Sequence, residues 1–196
     1  MVLSDLKSEE IVNSRAMLSP VEGSIFTPRL ELVPMTLPMV EAVMLGNRER
    51  AEAEANARLP AAWPGSVLVE RAFSSSLEAI RADPDKRLWG DRLLVSRDGE
   101  RNVIGSVVFH GRPDDGVAEV GYGVEERSQG LGLATEGTRA CVEWALAQPG
   151  VVAVTATTFP WHRASIRVIE KLGMRKSDTR DHEILGEMWI FELRTS

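Results

Sequence analysis

A chain of 196 residues with 43% hydrophobic and 27% charged side chains is long enough for one globular domain with a sizeable core. Its single cysteine, Cys141, excludes an intramolecular disulfide, and its net charge of −6 argues against a dedicated nucleic-acid binder while suiting a cationic substrate. No apolar run reaches the length of a membrane helix, and residues 1–10 lack the apolar core of a signal peptide, so we expect a cytoplasmic protein with no membrane partner.

The first part of the chain predicts a polar extension, one strand and three helices. Residues 1–24 have no clear hydrophobic period and form an extension ahead of a single domain that spans residues 25–196. Residues 26–35 alternate imperfectly between apolar and polar side chains, which favours a strand. Three helices are predicted next: one capped by Thr36, one over residues 48–59 and one over residues 67–82.

Three further strands follow in a meander. Apolar runs predict strands at residues 87–96, 102–110 and 117–124. An Asp98-Gly99 turn and a second turn between Gly111 and Gly116 separate them. Because these connections are short, neighbouring strands should pair antiparallel.

The last of these strands leads into a glycine-rich loop and then a helix. Gly130 and Gly132 let the backbone bend, and an amphipathic helix over residues 133–148 begins directly after them. The first amides of a helix lack internal partners and carry partial positive charge, so this junction predicts a site for a phosphate or pyrophosphate. No Gly-Lys-Ser/Thr ending follows, which excludes a P-loop, and Thr135 stands where a dinucleotide fold would need a third glycine.

The remainder of the chain predicts a parallel crossover and a final pair of strands. Residues 151–158 are a β-branched run typical of a strand covered on both faces, and a helix over residues 161–172 ends at Gly173. A strand, a helix and a second strand imply a parallel pair with a crossover helix. Residues 174–192 then give two short strands.

Three segments resemble a known enzyme family. Residues 127–132, Arg-Ser-Gln-Gly-Leu-Gly, are similar to the Arg/Gln-x-x-Gly-x-Gly/Ala motif of the GNAT acetyltransferase superfamily. Residues 157–174 resemble strand 5, helix 4 and the following strand of that family, and residues 27–32 resemble the first strand of its ribosomal-protein N-terminal (alanine/serine) acetyltransferase branch. The resemblance implies an α+β fold with a mostly antiparallel sheet of six or seven strands, splayed between strands 4 and 5, and about four flanking helices.

The resemblance also implies which residues bind acetyl-CoA. The pyrophosphate would lie on the amides of the loop, with positive charge from Arg127, and the pantetheine arm would follow the backbone of the strand before it, where Gly121 and Gly123 would suit a β-bulge. His162 stands where the family has an asparagine that contacts the pantetheine arm. The implied cofactor-binding residues are Tyr122, Gly123, Val124, Arg127, Gln129, Gly130, Leu131, Gly132, Leu133, Ala134, His162 and Ser165.

Two catalytic residues follow from the same resemblance. Glu119 matches a strand carboxylate that deprotonates the amine, although it could equally be an exposed or arginine-paired carboxylate. Ser165 matches a helix serine that protonates the leaving thiolate, and its alternative is a local hydroxyl bond in the first turn of the helix. The family's usual acid is a tyrosine in or near this helix, and the single tyrosine of this chain, Tyr122, is elsewhere in the sequence. Cys141 falls on an apolar helix face and should pack there as a small hydrophobe.

The predicted function is therefore N-acetyl transfer from acetyl-CoA to a primary amine, either a protein N-terminal α-amine or a small-molecule amine, by direct attack in a ternary complex. Two alternatives remain open: an acyl-CoA sensor without turnover, and a nucleotide-binding module that mimics the motif. The three histidines show no metal-ligand spacing, so no metal is expected. A homodimer is common in the branch that the sequence resembles.

Overall fold

The computed structural model describes residues 20–61, 78 and 80–195. Most of the predicted extension and most of the predicted helix over residues 67–82 lie outside these residues. The described strands are β1 (Ile25–Phe26), β2 (Leu30–Pro34), β3 (Asp91–Ser96), β4 (Val103–Phe109), β5 (Val117–Val124), β6 (Ala153–Thr158), β7 (Arg175–His182) and β8 (Gly186–Arg194). The longer described helices are α1 (Leu37–Met44), α2 (Arg48–Ala55), α3 (Leu133–Leu146) and α4 (Arg163–Lys171).

The strands form one mixed sheet of eight in the order β1-β2-β3-β4-β5-β6-β8-β7. Among the strands described, all neighbours pair antiparallel except β5 and β6, which are parallel and joined by α3 as the crossover. This arrangement confirms the predicted fold class. The strand count is slightly higher than six or seven, partly because the strand predicted over residues 26–35 is divided by a turn in which the Thr27 hydroxyl accepts the Leu30 amide at 3.0 Å.

β5 and β6 separate after a short paired stretch, and this separation positions the site. Their register joins Val117 to Ala153, Ala118 to Val154 and Glu119 to Thr155, and it ends there although both strands continue. The splay expected between the fourth and fifth family strands is therefore present and begins just beyond Glu119. Because β5 continues to Val124, its last residues border an opening.

The β-bulge predicted at Gly121 and Gly123 is not where the register shifts. β4 and β5 pair without interruption from Gly105–Val124 to Phe109–Val120, whereas the described sheet shifts register between β3 and β4 at Leu94 and Val95 and between β7 and β8 at Lys176 and Asp178. A side chain at Gly105 would meet the Gly123 carbonyl oxygen at 2.1 Å, so glycine is required there for β4 to approach β5. The bulge prediction was therefore wrong in location.

The strand predicted from residue 87 begins later, at Asp91. Residues Pro84–Trp89 form a 3-10 helix whose cap, Asp83, accepts the amide of Asp85 through its side chain. The aromatic ring of Trp89 packs against Phe109 and Trp144, with ring centroids 5.3 and 4.7 Å apart. Apolar residues at 88 and 89 therefore reflect burial of a short helix rather than strand pairing.

Both faces of the central strands are covered. Leu32 and Leu94 belong to a core under α3 and α4, and Val33 and Leu93 belong to a second core under α1 and α2. α3 lies close to β3, since a Cβ atom at Gly137 would stand 2.6 Å from the Leu94 side chain. The imperfect alternation of residues 26–35 now has a cause, because every residue of β2 is buried.

Candidate active site

The glycine loop, residues 129–134, joins a 3-10 turn (Glu126–Ser128) after β5 to the first residues of α3. Gly130 and Gly132 have φ values of +74° and +79°, a left-handed backbone that favours glycine. Gly132 is also the N-cap of α3 and provides no side-chain cap, and the Glu136 amide makes the bond to its carbonyl. The amides before Glu136 in this helix thus lack intrahelical partners, and with the helix dipole they form a site for an anion.

A hydrogen-bonded tether fixes this loop to the turn between β1 and β2. Glu136 Oε1 accepts the Thr27 hydroxyl at 2.6 Å and the Arg29 amide at 2.9 Å, while its Oε2 accepts Arg29 Nε at 2.6 Å. The same guanidinium donates to the Leu131 carbonyl at 3.0 Å. Although burial opposes ionisation, these hydrogen bonds lower the pKa of Glu136. Residues 27–29, which carry part of the family resemblance, therefore hold the loop in place.

A cleft of about 490 Å³ extends from the glycine loop into the opening beside β5. It brings together most of the predicted cofactor residues, namely Tyr122, Gly123, Val124, Gln129, Gly130, Gly132, Leu133, Ala134, His162 and Ser165. Arg127 and Leu131 are exposed and do not line it. Six lining residues were not predicted: Ser128, Thr135, Ala164, Arg167, Val168 and Lys171.

Two hydroxyl groups meet on one wall of this cleft. The Tyr122 hydroxyl lies 3.0 Å from Ser165 Oγ and donates to the Ser165 carbonyl at 2.9 Å. Burial raises the pKa of Tyr122, so its hydroxyl keeps its proton at neutral pH. Tyr122 is far from α4 in the sequence. In the fold, however, β5 separates from β6, and the Tyr122 side chain reaches the first turn of α4.

Glu119 lies at the final β5–β6 pair, and alternation along the strand directs its side chain to the face opposite Tyr122. Its Oε1 accepts the Thr157 hydroxyl at 2.8 Å, and its Oε2 lies 3.6 Å from His110 Nδ1. The interaction with His110, supported by Thr157 and opposed by burial, lowers the pKa of Glu119 to about 2. The same interaction raises the pKa of His110, with a smaller contribution from Asp91.

His110 was not among the predicted site residues, yet a sequence signal for it existed. The strands at 102–110 and 117–124 were predicted as a hairpin, and in the structure the His110 amide donates to the Glu119 carbonyl at 3.0 Å. The sequence therefore indicated that the two strands are neighbours, whereas the register that places His110 beside Glu119 is known from the pairing of Phe109 with Val120 in the structure. The tether from Thr27 and Arg29 to Glu136 joins residues more than 100 positions apart and had no such signal.

Cys141 packs in the core as predicted. Its side chain is fully buried, and burial raises the pKa of its thiol to about 12, with Arg92 opposing the shift. A thiol in that state is neither accessible nor ionised at neutral pH, so it is unsuited to form an acyl-enzyme. In the part of the chain that the structure describes, no helix is both long and apolar enough to cross a membrane.

Comparisons with known proteins agree with this geometry. The family model for the acetyltransferase (GNAT) domain matches residues 29–175. An uncharacterized N-acetyltransferase of Bacillus subtilis (strain 168), YjdG, is 25% identical over 148 residues, covering 75% of this chain and 86% of that protein.

Two solved structures share the fold. A putative ribosomal-protein-serine acetyltransferase from Vibrio cholerae superposes with a TM-score of 0.61 at 17% identity and covers 90% of this chain and 100% of its own. The microcin C7 self-immunity acetyltransferase MccE, solved in complex with acetyl-CoA and AMP, gives a TM-score of 0.58 at 16% identity over 93% and 99% of the two chains. With its splayed sheet, its glycine loop and a family match over most of its length, this chain belongs to the GNAT acetyltransferase family and is an acyltransferase.

Proposed function

We propose that this enzyme transfers the acetyl group of acetyl-CoA to a primary amine by direct attack within a ternary complex. The observation that supports it most strongly is the continuity of one cleft from the anion-binding glycine loop to the Tyr122–Ser165 pair. An elongated ligand with phosphates at one end and a reactive group at the other fits that arrangement.

The residues present suit each part of acetyl-CoA. The left-handed glycines and unpaired amides of the loop would take the pyrophosphate, and Arg167 and Lys171 line the same cleft and add positive charge. Beyond Glu119, no described strand pairs with the β6-facing edge of β5, so the backbone of residues 122–124 is available to the pantetheine arm. His162, exposed at the N-cap of α4 without a side-chain cap bond, provides a further polar contact.

Acetyl-CoA, when bound, supplies a thioester whose carbonyl carbon an amine can attack. The chain itself must hold the amine, remove its proton and return a proton to the thiolate. The adjacent side chains of Glu119 and His110 place proton-accepting groups at the point where β5 and β6 separate. On the opposite face of β5, the hydroxyls of Tyr122 and Ser165 can donate a proton. Tyr122 would thus take the role that the family usually gives to a tyrosine in or near α4.

The acceptor is a protein N-terminal α-amine or a small-molecule amine. The Vibrio cholerae neighbour is described as a putative ribosomal-protein-serine acetyltransferase, and the YjdG relative as an N-acetyltransferase. A net charge of −6 suits a cationic acceptor, because an acidic surface raises the local concentration of amines.

The test is thiol release from acetyl-CoA across four classes of amine: ribosomal-protein N-terminal peptides, polyamines, aminoglycosides and amino acids. Calorimetric titration with CoA runs beside it. Turnover with one class supports the proposal and identifies the acceptor. CoA binding without turnover on any amine would favour a sensor, and failure to bind CoA would contradict the proposal altogether.

A further inference from the structure

His110, Glu119 and Thr157 form a connected group at the base of the β5–β6 opening. The Glu119 carboxylate lies between the Thr157 hydroxyl, 2.8 Å from Oε1, and the imidazole of His110, whose Nδ1 is 3.6 Å from Oε2. The His110 backbone amide also donates to the Glu119 carbonyl, which fixes the two residues side by side. The carboxylate is therefore held on one side and faces Nδ1 on the other.

The second ring nitrogen of His110 lies along β5, over Gly121. A Cβ atom built at Gly121 would stand 3.2 Å from the Val108 side chain and 3.4 Å from His110 Nε2, and one at Gly123 would meet no atom of the described residues within 4 Å. Glu119, Gly121 and Gly123 share one face of β5, so the strand carries no side chain on this face beyond Glu119. Among the residues that the structure describes, Nε2 thus borders a stretch of β5 with no side chains of its own on this face, where an acceptor can approach.

Glu119 is chemically a poor proton acceptor in this setting. Its interactions with His110 and Thr157 lower its pKa to about 2, whereas the carboxylate raises the pKa of His110 above its usual value. A general base works best when its pKa lies near the operating pH, and the imidazole meets that condition far better. The other charged groups that act on this pair are Asp91 of β3, which raises the His110 pKa, and Arg180 of β7, which lowers the Glu119 pKa.

We propose that His110 Nε2 is the general base of this enzyme and that Glu119 is a positioning residue that faces Nδ1 at 3.6 Å and stabilises the imidazolium. This inference rests on the proposed acetyl transfer. The N–H bond of the acceptor ammonium breaks, its proton moves to Nε2, and the electron pair remains on nitrogen for attack. The proton then leaves to solvent, because 55% of the His110 side chain is exposed. The role predicted for Glu119 passes to its neighbour.

The first test measures the pair without acetyl-CoA. Proton NMR follows the C–H signals of the three histidines through pH 5 to 9, with the His110 signal assigned from its loss in His110→Gln. We expect His110 to titrate above its ordinary value of 6.5 in the wild-type protein and at a lower pH in Glu119→Gln, because that change removes the carboxylate that stabilises the imidazolium. An unchanged His110 midpoint in Glu119→Gln overturns the inference.

The second test is the pH profile of kcat/KM for the best amine. The wild-type acidic limb should follow the NMR midpoint of His110, and His110→Gln should lower kcat/KM by about 10² to 10³ and remove that limb. Glu119→Gln should keep the limb but move it to lower pH. His182→Gln, at an exposed histidine of β7, is the matched control and should behave as wild type.

The outcomes separate the two proposals. A wild-type enzyme that acetylates an amine while His110→Gln retains its rate and its limb overturns this inference alone. Loss of the limb in Glu119→Gln instead of His110→Gln returns the role of base to the carboxylate. A wild-type protein that acetylates no amine overturns both. CoA affinity serves as the folding check for His110→Gln, because His110 does not line the cofactor cleft.

Discussion

At the residue scale, the anion site depends on a left-handed backbone at Gly132. With φ at +79° this residue is both the N-cap of α3 and a wall of the cleft, and a Cβ atom here would stand 3.7 Å from the Arg29 guanidinium. A residue with a side chain would strain the left-handed backbone here by about 1–2 kcal/mol. Its side chain would also stand beside the amides that would bind phosphate. The family motif predicted a glycine site here from the sequence, because the requirement for glycine comes from the local backbone conformation of this one residue.

We expect Gly132→Val to weaken CoA binding at least about tenfold, or 1.4 kcal/mol, while the protein remains folded. Gly150→Val is the matched control, because Gly150 also has positive φ, at +80°, a Cβ atom there would meet no described residue within 4 Å, and it lies beyond the other end of α3. Calorimetric titration with CoA, together with urea unfolding of both variants, checks the result. Equal CoA affinity in folded Gly132→Val and wild type would contradict the phosphate assignment.

Tyr122 and Ser165 provide a second prediction at this scale. Because their hydroxyls lie 3.0 Å apart, they should protonate the leaving thiolate as a unit. Tyr122→Phe and Ser165→Ala should each lower kcat by about 10²-fold, and the double variant should lose little more than either single change. Steady-state rates from thiol release measure this, with CoA affinity as the control for intact binding. Losses that multiply in the double variant would show that the two hydroxyls act independently.

At the element scale, the glycine loop is held by an element far from it in sequence. Glu136, one turn into α3, binds Thr27 and Arg29 of the turn before β2, and Arg29 reaches the Leu131 carbonyl. The sequence predicted α3 and a strand that contains β2 from their own patterns, but the side-chain link between Arg29 and Glu136 spans 107 positions and follows only from the packed fold. The turn that divides the predicted first strand also depends on the packed fold, because it directs the Thr27 hydroxyl and the Arg29 amide toward Glu136.

We expect Glu136→Ala to weaken CoA binding about three- to tenfold and to lower the free energy of unfolding by about 1–2 kcal/mol, since it removes charge-assisted hydrogen bonds to the loop's anchor. Glu143→Ala is the matched control: Glu143 is an exposed carboxylate two turns further along the same helix. Both variants are titrated with CoA and unfolded in urea. A Glu136→Ala protein that matches Glu143→Ala in both measurements would mean that the tether does not support the loop.

At the scale of the whole molecule, the sequence predicted the order of most of the described strands and helices because their hydrophobic periods are local. It could not assign the central strands to two cores, since β2 and β3 are buried on both faces and their alternation is obscured. Nor could it predict the fully buried Arg92, whose guanidinium donates to the Gly23 and Leu88 carbonyls and lies 4.6 Å from the Trp144 ring centroid. Because charged side chains are rarely buried without a partner, a charged residue within a strand is predicted to be exposed when its partners are not known.

Asp91 at the start of β3 links this packing to the pH dependence of stability. Burial raises its pKa from 3.8 to about 6, with His110 opposing the shift. The folded protein therefore holds this proton more tightly than the unfolded chain does. The contribution is favourable at low pH and is lost as pH rises from about 4 through 6.

Asp91→Asn removes this ionisation, so the free energy of unfolding of the variant relative to wild type should rise by about 2 kcal/mol between pH 4.5 and pH 7. The pKa of His110 is raised as well, so its contribution to the stability of the folded protein is also lost as pH rises. The pKa of Glu119 is lowered, so its contribution is lost only as the solution becomes acidic. Asp181→Asn, at an exposed position of β7, should track wild type throughout and serves as the control. Urea unfolding of the three proteins at both pH values measures the difference. If the free energies of unfolding of Asp91→Asn and wild type differed by a constant amount across this window, Asp91 would have to be ionised in the folded protein at pH 4.5. Burial at the start of β3 would then not be what raises its pKa.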